Sequence, residues 1–250
     1  VKILNFTEFC SEVKKAFRKM EPWSHIRFGD GEGIVMGYPE YTSEGKCKKR
    51  WHKWLGHSNL DIGNFALEIR AAAEMADIIG TPCDRHQKIN QDWRNVLKYM
   101  KQYHLLNEES VTCCMDWTVK MHLKNCYHDI LDNREDVTYI SCRDVREILK
   151  NTFNIKKVTA IHLPPQHYPC KGDVLRNEPH YPDIYNEIMD YLSDDLSGKI
   201  FLIGAGGLGK IYCNWVKQHN GVALDIGSLF DGWAGLVTRS YLKGIKKIKL

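Results

Sequence analysis

Apolar positions along the chain switch repeatedly between a helical spacing and short continuous runs. Phe6, Phe9, Val13, Phe17 and Met20 recur at helical intervals, with Asn5 or Thr7 placed as a cap and Pro22 ending the segment. A β-rich run, His25 to Phe28, follows, then a short apolar stretch from Ile34 to Tyr41. Ile62, Phe65, Ala66, Ile69, Ala73 and Met75 predict a second amphipathic helix, leading into a strand over 76–80 and a Thr81-Pro82 turn. Trp93, Val96, Leu97 and Met100 mark a third helix and residues 111–115 a strand, while 116–131 reads as a weakly patterned helix. Strands are predicted over 137–142 and 158–163, separated by a helix through Ile148, Leu149 and Phe153 that Arg143 and Asp144 open. Pro164-Pro165 stops the second of these, and a polar and aromatic loop runs over 166–180. Pro182 suits the first turn of a helix carrying Ile184, Ile188 and Leu192. Ser197-Gly198 then turns the chain into a strand at 200–203, a glycine loop at 204–209, a helix through Trp215 and a strand at 222–226.

Strands alternating with helices at this spacing predict an α/β fold: one Rossmann-like domain over residues 1–250, its mostly parallel sheet flanked by helices. No repeat, low-complexity tract or linker divides it. Ligands of such sheets sit beyond the carboxyl ends of the strands. That rule gathers the Asp30 loop, the Arg143-Asp144 corner, the loop at 164–169, the glycine loop and Asp225 on one rim.

Composition narrows the partners. A chain of 250 residues with 43% hydrophobic and 26% charged residues is long enough for a sizeable core, and its net charge of +4 gives no case for nucleic acid as the main partner. The nine cysteines are scattered, with Cys113 and Cys114 adjacent and no C-x-x-C pair, so neither a disulfide framework nor a zinc ribbon is indicated. The eleven histidines stand in no metal-binding spacing and read as surface or structural. No apolar run approaches the ~20 residues that span a bilayer and no signal peptide is visible, so a cytoplasmic location is expected. The chain opens on Val1, which fits a processed start, a trimmed chain or a piece of a longer protein.

Two basic stretches allow a functional and a plain reading. Lys46, Lys48, Lys49 and Arg50 run into Trp51, His52 and Trp54, either a phosphate- or sugar-binding strip or a solvated face with a snorkelling edge. Lys243, Lys246, Lys247 and Lys249 interleave with Ile245, Ile248 and Leu250, either a peripheral membrane contact with anionic lipid or a solvated end.

The chemistry concentrates in Arg27-Phe28-Gly29-Asp30-Gly31-Glu32-Gly33. In an extended segment Asp30 and Glu32 stand on one side of the chain, where a hard cation such as Mg²⁺ or Mn²⁺ would find carboxylates beside substrate phosphates. Arg27 offers a planar fork for a carboxylate or phosphate. The plain alternative is a hairpin, because Asp-Gly between apolar runs is a turn signal. Near the other end, Gly204-x-Gly206-x-x-Gly209 follows a strand, opens a helix and is trailed by Asp225. That is a dinucleotide fingerprint, which keeps an NAD(P)- or ATP-binding Rossmann enzyme as an alternative. Its late position opposes this, since only about 25 residues follow Asp225. Lys210 is followed by Ile211, so a Walker loop fails. Tight helix–strand packing alone also explains such glycines.

Ile26-Arg27-Phe28-Gly29-Asp30-Gly31-Glu32 resembles the opening signature of the bacterial GT-D-type glycosyltransferases, and the segment from Leu202 to Asp231, with its Asp225-Ile226-Gly227 turn, is similar to that family's C-terminal block. The resemblance implies a GT-D-like fold and a metal-dependent transfer of sugar from a nucleotide diphosphate sugar, most often a UDP-sugar. The acceptor it implies is a glycan or glycoprotein, and a lipid-linked acceptor would suit the basic tail. Asp30 and Glu32 take the places of the family's metal-binding and catalytic acidic pair, with Mn²⁺ or Mg²⁺ as cofactor. Arg27, Gly29, Gly204, Gly206 and Gly207 would face the nucleotide sugar, and Asp225 a ribose or sugar hydroxyl. Asp231 is the available general base for the acceptor hydroxyl. The chain departs from the family at Ser228, where a histidine is usual, and in its Phe230-Asp231-Gly232-Trp233 continuation. Trp233 or Tyr168 can offer a stacking face, or belong to the core.

Overall fold

The computed structural model describes residues 1–55, 60–89, 91–165, 176 and 178–245, with the backbone alone at 30, 53, 54, 243 and 244. Tyr168, the side chain of Trp54, and Lys246, Lys247, Ile248, Lys249 and Leu250 of the basic tail therefore lie outside the described residues. Eight strands form a single sheet: β1 (Lys2–Ile3), β2 (Trp23–Arg27), β3 (Ile78–Thr81), β4 (Val111–Cys114), β5 (Asp136–Ser141), β6 (Lys157–His162), β7 (Ile200–Ile203) and β8 (Val222–Asp225). Their order is β1-β4-β3-β2-β8-β7-β5-β6 and every pairing is parallel. All carboxyl ends consequently share one rim, as the strand–helix rhythm predicts.

Parallel strands are buried on both faces, and here each face has its own apolar layer. On one side pack α2 (Asp30–Met36), α3 (Glu44–Leu55), α4 (Ile62–Met75), α6 (Gln91–Gln102), α10 (Tyr185–Leu192) and α11 (Leu208–Gln218). On the other lie α1 (Phe6–Lys19), α7 (Trp117–Leu123), α8 (His128–Leu131), α9 (Arg146–Phe153) and α12 (Leu229–Trp233). The start of α1 follows from its sequence. Asn5 accepts the Glu8 N–H at 3.1 Å while the Glu8 carboxylate receives the Asn5 N–H at 2.7 Å, a reciprocal cap whose loss typically costs about 1 kcal/mol.

Two expectations change, and at the basic strip one of the two readings is favoured. Residues 30–36 form the helix α2, neither an extended acidic loop nor a hairpin. Gly29 is its N-cap, and Glu32 at the third helical position accepts the Gly29 N–H at 3.1 Å, one half of a capping box. The basic stretch at 46–50 lies in α3, where Lys46 and Lys49 are exposed while Trp51 is fully buried, so the lysines form a solvated face and the tryptophan belongs to the core. A short helix, α5 (Asp84–Ile89), follows β3 where only a turn was expected. Among the described residues no helix is long and apolar enough to cross a membrane.

His25 on β2 and His180 before α10 are both buried, and burial pushes each imidazole down to about 3 from 6.5. Both are therefore neutral in the native state, whereas the unfolded chain protonates them below about pH 6.5. Unfolding free energy should fall as pH drops from about 6.5 towards 3, with a slope of about 1.4 kcal/mol per pH unit for each fully titrating histidine. Urea denaturation between pH 7.5 and 4.5 measures it, and a flat profile over that range would refute the assignment.

Candidate active site

The centre of the sheet brings together residues from opposite ends of the chain. β2 and β8 are neighbours, with His25 opposite Leu224, and the strands end together at Arg27 and Asp225. The Arg27 backbone N–H donates to the Asp225 carboxylate at 3.2 Å, and its Nε stands 3.5 Å from the other oxygen as an ion pair without hydrogen-bond alignment. Nη1 donates to the Met115 carbonyl and the Thr118 hydroxyl, each at 3.2 Å. Nη2 lies against Gly227, where a Cβ would come within 1.8 Å of it, and Gly227 also has a φ of +50°. The Asp-Ile-Gly turn thus needs glycine on both counts.

Lys210 is the hub. Its buried ammonium donates to Glu32 at 2.8 Å, to Asp225 at 3.0 Å and to the Gly206 carbonyl at 2.9 Å, so all three protons have acceptors. Burial alone would push the Asp225 carboxyl up, but Lys210 and then Arg27 outweigh it and hold the group below its usual value. Burial likewise opposes the Lys210 charge, and Asp225 followed by Glu32 raises its pKa regardless. Asp225, at 2% exposure and with two cationic neighbours, is an internal anchor, which argues against the ribose-hydroxyl role and the dinucleotide reading built on it.

The expected carboxylate pair is divided by the same geometry. Positions 30 and 32 stand i and i+2 on a helix, about 200° apart around its axis, so they do not share a face. Glu32 spends one oxygen on Lys210 and the other on the Gly29 N–H. The Asp30 side chain lies outside the description; its backbone opens α2 on the rim.

The glycine loop between β7 and α11 is shaped by close packing. A Cβ on Gly204 would meet Phe230 at 2.4 Å, and one on Gly207 would meet the Trp51 ring at 2.5 Å. Trp51 also donates its indole N–H to the Gly31 carbonyl at 3.2 Å, so α3 ties the start of α2 to the glycine loop. Gly206, at φ +56°, and Gly204 remain partly exposed on the rim.

Asp231 sits beside this group on α12. One of its oxygens accepts Arg143 Nε at 2.7 Å, and the other accepts the Thr238 hydroxyl. Arg143 is buried, so Asp231 serves as its counter-ion, which argues against a free general base. Trp233 is wholly buried in the core and offers no stacking face. Sequence reading assigned Lys210 no part in the site, and it gave no role to Arg143, which it placed on the rim, or to Trp51 beyond the basic strip. The available signal was a lysine in the first turn of the helix after a glycine loop, and it was set aside with the Walker motif.

Replacing Lys210 by methionine leaves Glu32 and Asp225 buried without their cation. A loss of about 3–5 kcal/mol of unfolding free energy is expected by denaturant titration, with partial recovery on adding Glu32→Gln. A loss below about 1 kcal/mol would show that the ammonium does not hold the site together.

Residues 4–233 match the model of the GT-D fold-like domain. No curated protein matches the chain. Similar solved structures include a domain of unknown function 1792 described as having a distinct glycosyltransferase fold, at 13% identity over 98% of this chain and 90% of that one, with a TM-score of 0.61. A selenomethionine form of a domain of unknown function 1792 superposes with a TM-score of 0.60 at 12% identity, over 100% of this chain and 91% of that one. A protein from Streptococcus sanguinis described as a new glycosyltransferase does so at 0.56 and 12%, over 100% and 95%. At these identities the likeness is one of fold. With the family match running from Leu4, just after β1, to Trp233, the last residue of α12, the chain belongs to the GT-D fold-like family and is a glycosyltransferase by family.

Proposed function

We propose that the chain transfers a sugar from a nucleoside diphosphate sugar of UDP type to a hydroxyl of a glycan or glycoprotein. The acceptor oxygen attacks the anomeric carbon, the bond from that carbon to the diphosphate breaks, the electron pair leaves with the diphosphate, and the hydroxyl proton passes to a base. The observation that carries this reading is the convergence of α2, β8 and the glycine loop on Lys210, at the rim where parallel sheets bind ligands. The loop around Gly204 and Gly206 and the amino end of α11 favour phosphate there, through backbone N–H groups and the helix dipole.

Charge bookkeeping supports a metal. Arg27 and Lys210 are balanced by Glu32 and Asp225, and Arg143 by Asp231. The buried cluster is thus internally neutral, and the charge of a departing diphosphate needs a further cation. A divalent ion, Mn²⁺ or Mg²⁺, would supply electrostatic stabilisation of that leaving group. Glu32 does not fit as its ligand, because Lys210 and the Gly29 N–H hold both oxygens. The position of Asp30 fits, since a hard cation can rest on a single carboxylate together with substrate phosphates and water. In this division Asp30 meets the metal, Glu32 places Lys210, and Arg27 and the glycine loop bound the diphosphate.

Titration calorimetry with UDP-sugars, with and without Mn²⁺, tests the reading. Mn²⁺ should tighten binding at least tenfold. Asp30→Asn should abolish that enhancement while leaving the fold stable, and Glu32→Gln should lower stability. Unchanged binding and turnover in chelator would remove the metal. Protection by NAD(P) or ATP, with none by any nucleotide sugar, would restore the dinucleotide alternative.

A further inference from the structure

The cysteines have no metal-binding spacing along the chain, yet the sheet gathers three soft donors on the same rim. Thr81, the last residue of β3, pairs with Cys114, the last residue of β4. Cys83 lies in the turn after β3 and His86 in α5, and both come to rest beside Cys114. The Cys83 Sγ is 3.2 Å from His86 Nδ1, and the donor atoms of Cys83, His86 and Cys114 all lie within 4.8 Å of one another. Tetrahedral zinc, with bonds of about 2.3 Å to sulfur and about 2.0 Å to nitrogen, separates its donors by about 3.5–3.8 Å. The observed cluster needs changes of at most about 1.3 Å in donor separation to meet that.

The surroundings of His86 are built for the same purpose. Its Nε2 lies 2.7 Å from Asp116, and because a carboxylate only accepts, that nitrogen carries the proton. Nδ1 is left with a lone pair facing the thiols; it now receives the Cys83 backbone N–H at 3.2 Å, a bond that a metal would replace. Arg85 pairs with Asp116, and the ring stands edge-on to Trp93 at 5.0 Å between centroids, so the buried imidazole has a fixed orientation. A carboxylate behind a histidine is the usual outer-shell support of a metal ligand.

We propose that Cys83, His86 and Cys114 bind one zinc-class divalent ion, with the fourth position open to water. Two thiolates and an imidazole select a soft or borderline ion, unlike the oxygen donors offered at Asp30. Binding releases the two thiol protons to solvent. A Cys-His-Asp nucleophile would use Cys83 alone and leave Cys114 without a part, and a Cys83–Cys114 disulfide would leave the oriented imidazole without one. Cys114 immediately precedes Met115, whose carbonyl accepts Arg27 Nη1, so the ion would brace the strand end that holds Arg27. The site stands independently of the sugar-transfer reading.

The whole chain, purified without chelator, should carry one equivalent of zinc by elemental analysis. The reduced, metal-free protein titrated with Co²⁺ should show intense tetrahedral ligand-field bands and a sulfur-to-cobalt charge-transfer band. Cys83→Ser with Cys114→Ser should abolish that band. Asp116→Asn, which keeps all three ligands, should weaken affinity by about 10–100-fold at unchanged stoichiometry. Cobalt bound without a sulfur band, or no uptake by the reduced wild-type protein, would overturn the proposal. So would an Asp116→Asn affinity equal to wild type, because the carboxylate would then play no supporting part.

Discussion

A single buried ammonium sets the terms for the rest of this fold. Lys210 can keep its charge away from water only while Glu32, Asp225 and the Gly206 carbonyl surround it. Those acceptors belong to α2, β8 and the glycine loop, so the requirement is met only when the two ends of the chain meet at the middle of the sheet. The β2–β8 pairing makes that possible, and the Arg27 N–H bond to Asp225 spans 198 positions of sequence. Removing either strand from its place would strand charges of both signs in the interior. This is a strong reason for the chain to hold one arrangement.

Close approach is the second condition. Gly204 admits Phe230 from one face of the sheet, and Gly207 admits Trp51 from the other. Gly227 leaves room for the Arg27 guanidinium. The glycines usually read as a phosphate cradle therefore have a packing duty first, and the partly exposed backbone at Gly204 and Gly206 is what they leave on the rim. Packing and ligand recognition are not competing explanations here, since the backbone can face a phosphate only because its side-chain space has been given to aromatic rings.

The rim divides its chemistry by strand. Above β2, β7 and β8 the buried groups are charged, paired and neutral in sum; above β5 the Arg143–Asp231 pair repeats that pattern. Above β3 and β4 the donors are thiols and an imidazole. Arg27 touches both regions, through Asp225 on one side and Met115 on the other. Changes at either region can therefore reach the other through a single guanidinium held at fixed points.

Periodicity alone determined the alternation of strands and helices, the parallel sheet and the rim, because burial on both faces leaves long apolar runs and helical stripes in the sequence. A cap at the start of α1, for which Asn5 and Thr7 both qualified, and the two motif blocks around Arg27 and Gly206 were equally legible, being local. The helical state of residues 30–36 was not, because Gly-Asp-Gly-Glu suits a turn as well as a half capping box, and packing of Ile34, Val35 and Met36 into the core decided between them. Nor could the sequence show that Glu32, Asp225 and Asp231 are held by Lys210 and Arg143, or that Cys83, His86 and Cys114 meet. Those facts depend on which strands lie side by side, and strand order is set by long-range packing that leaves no spacing to read along the chain.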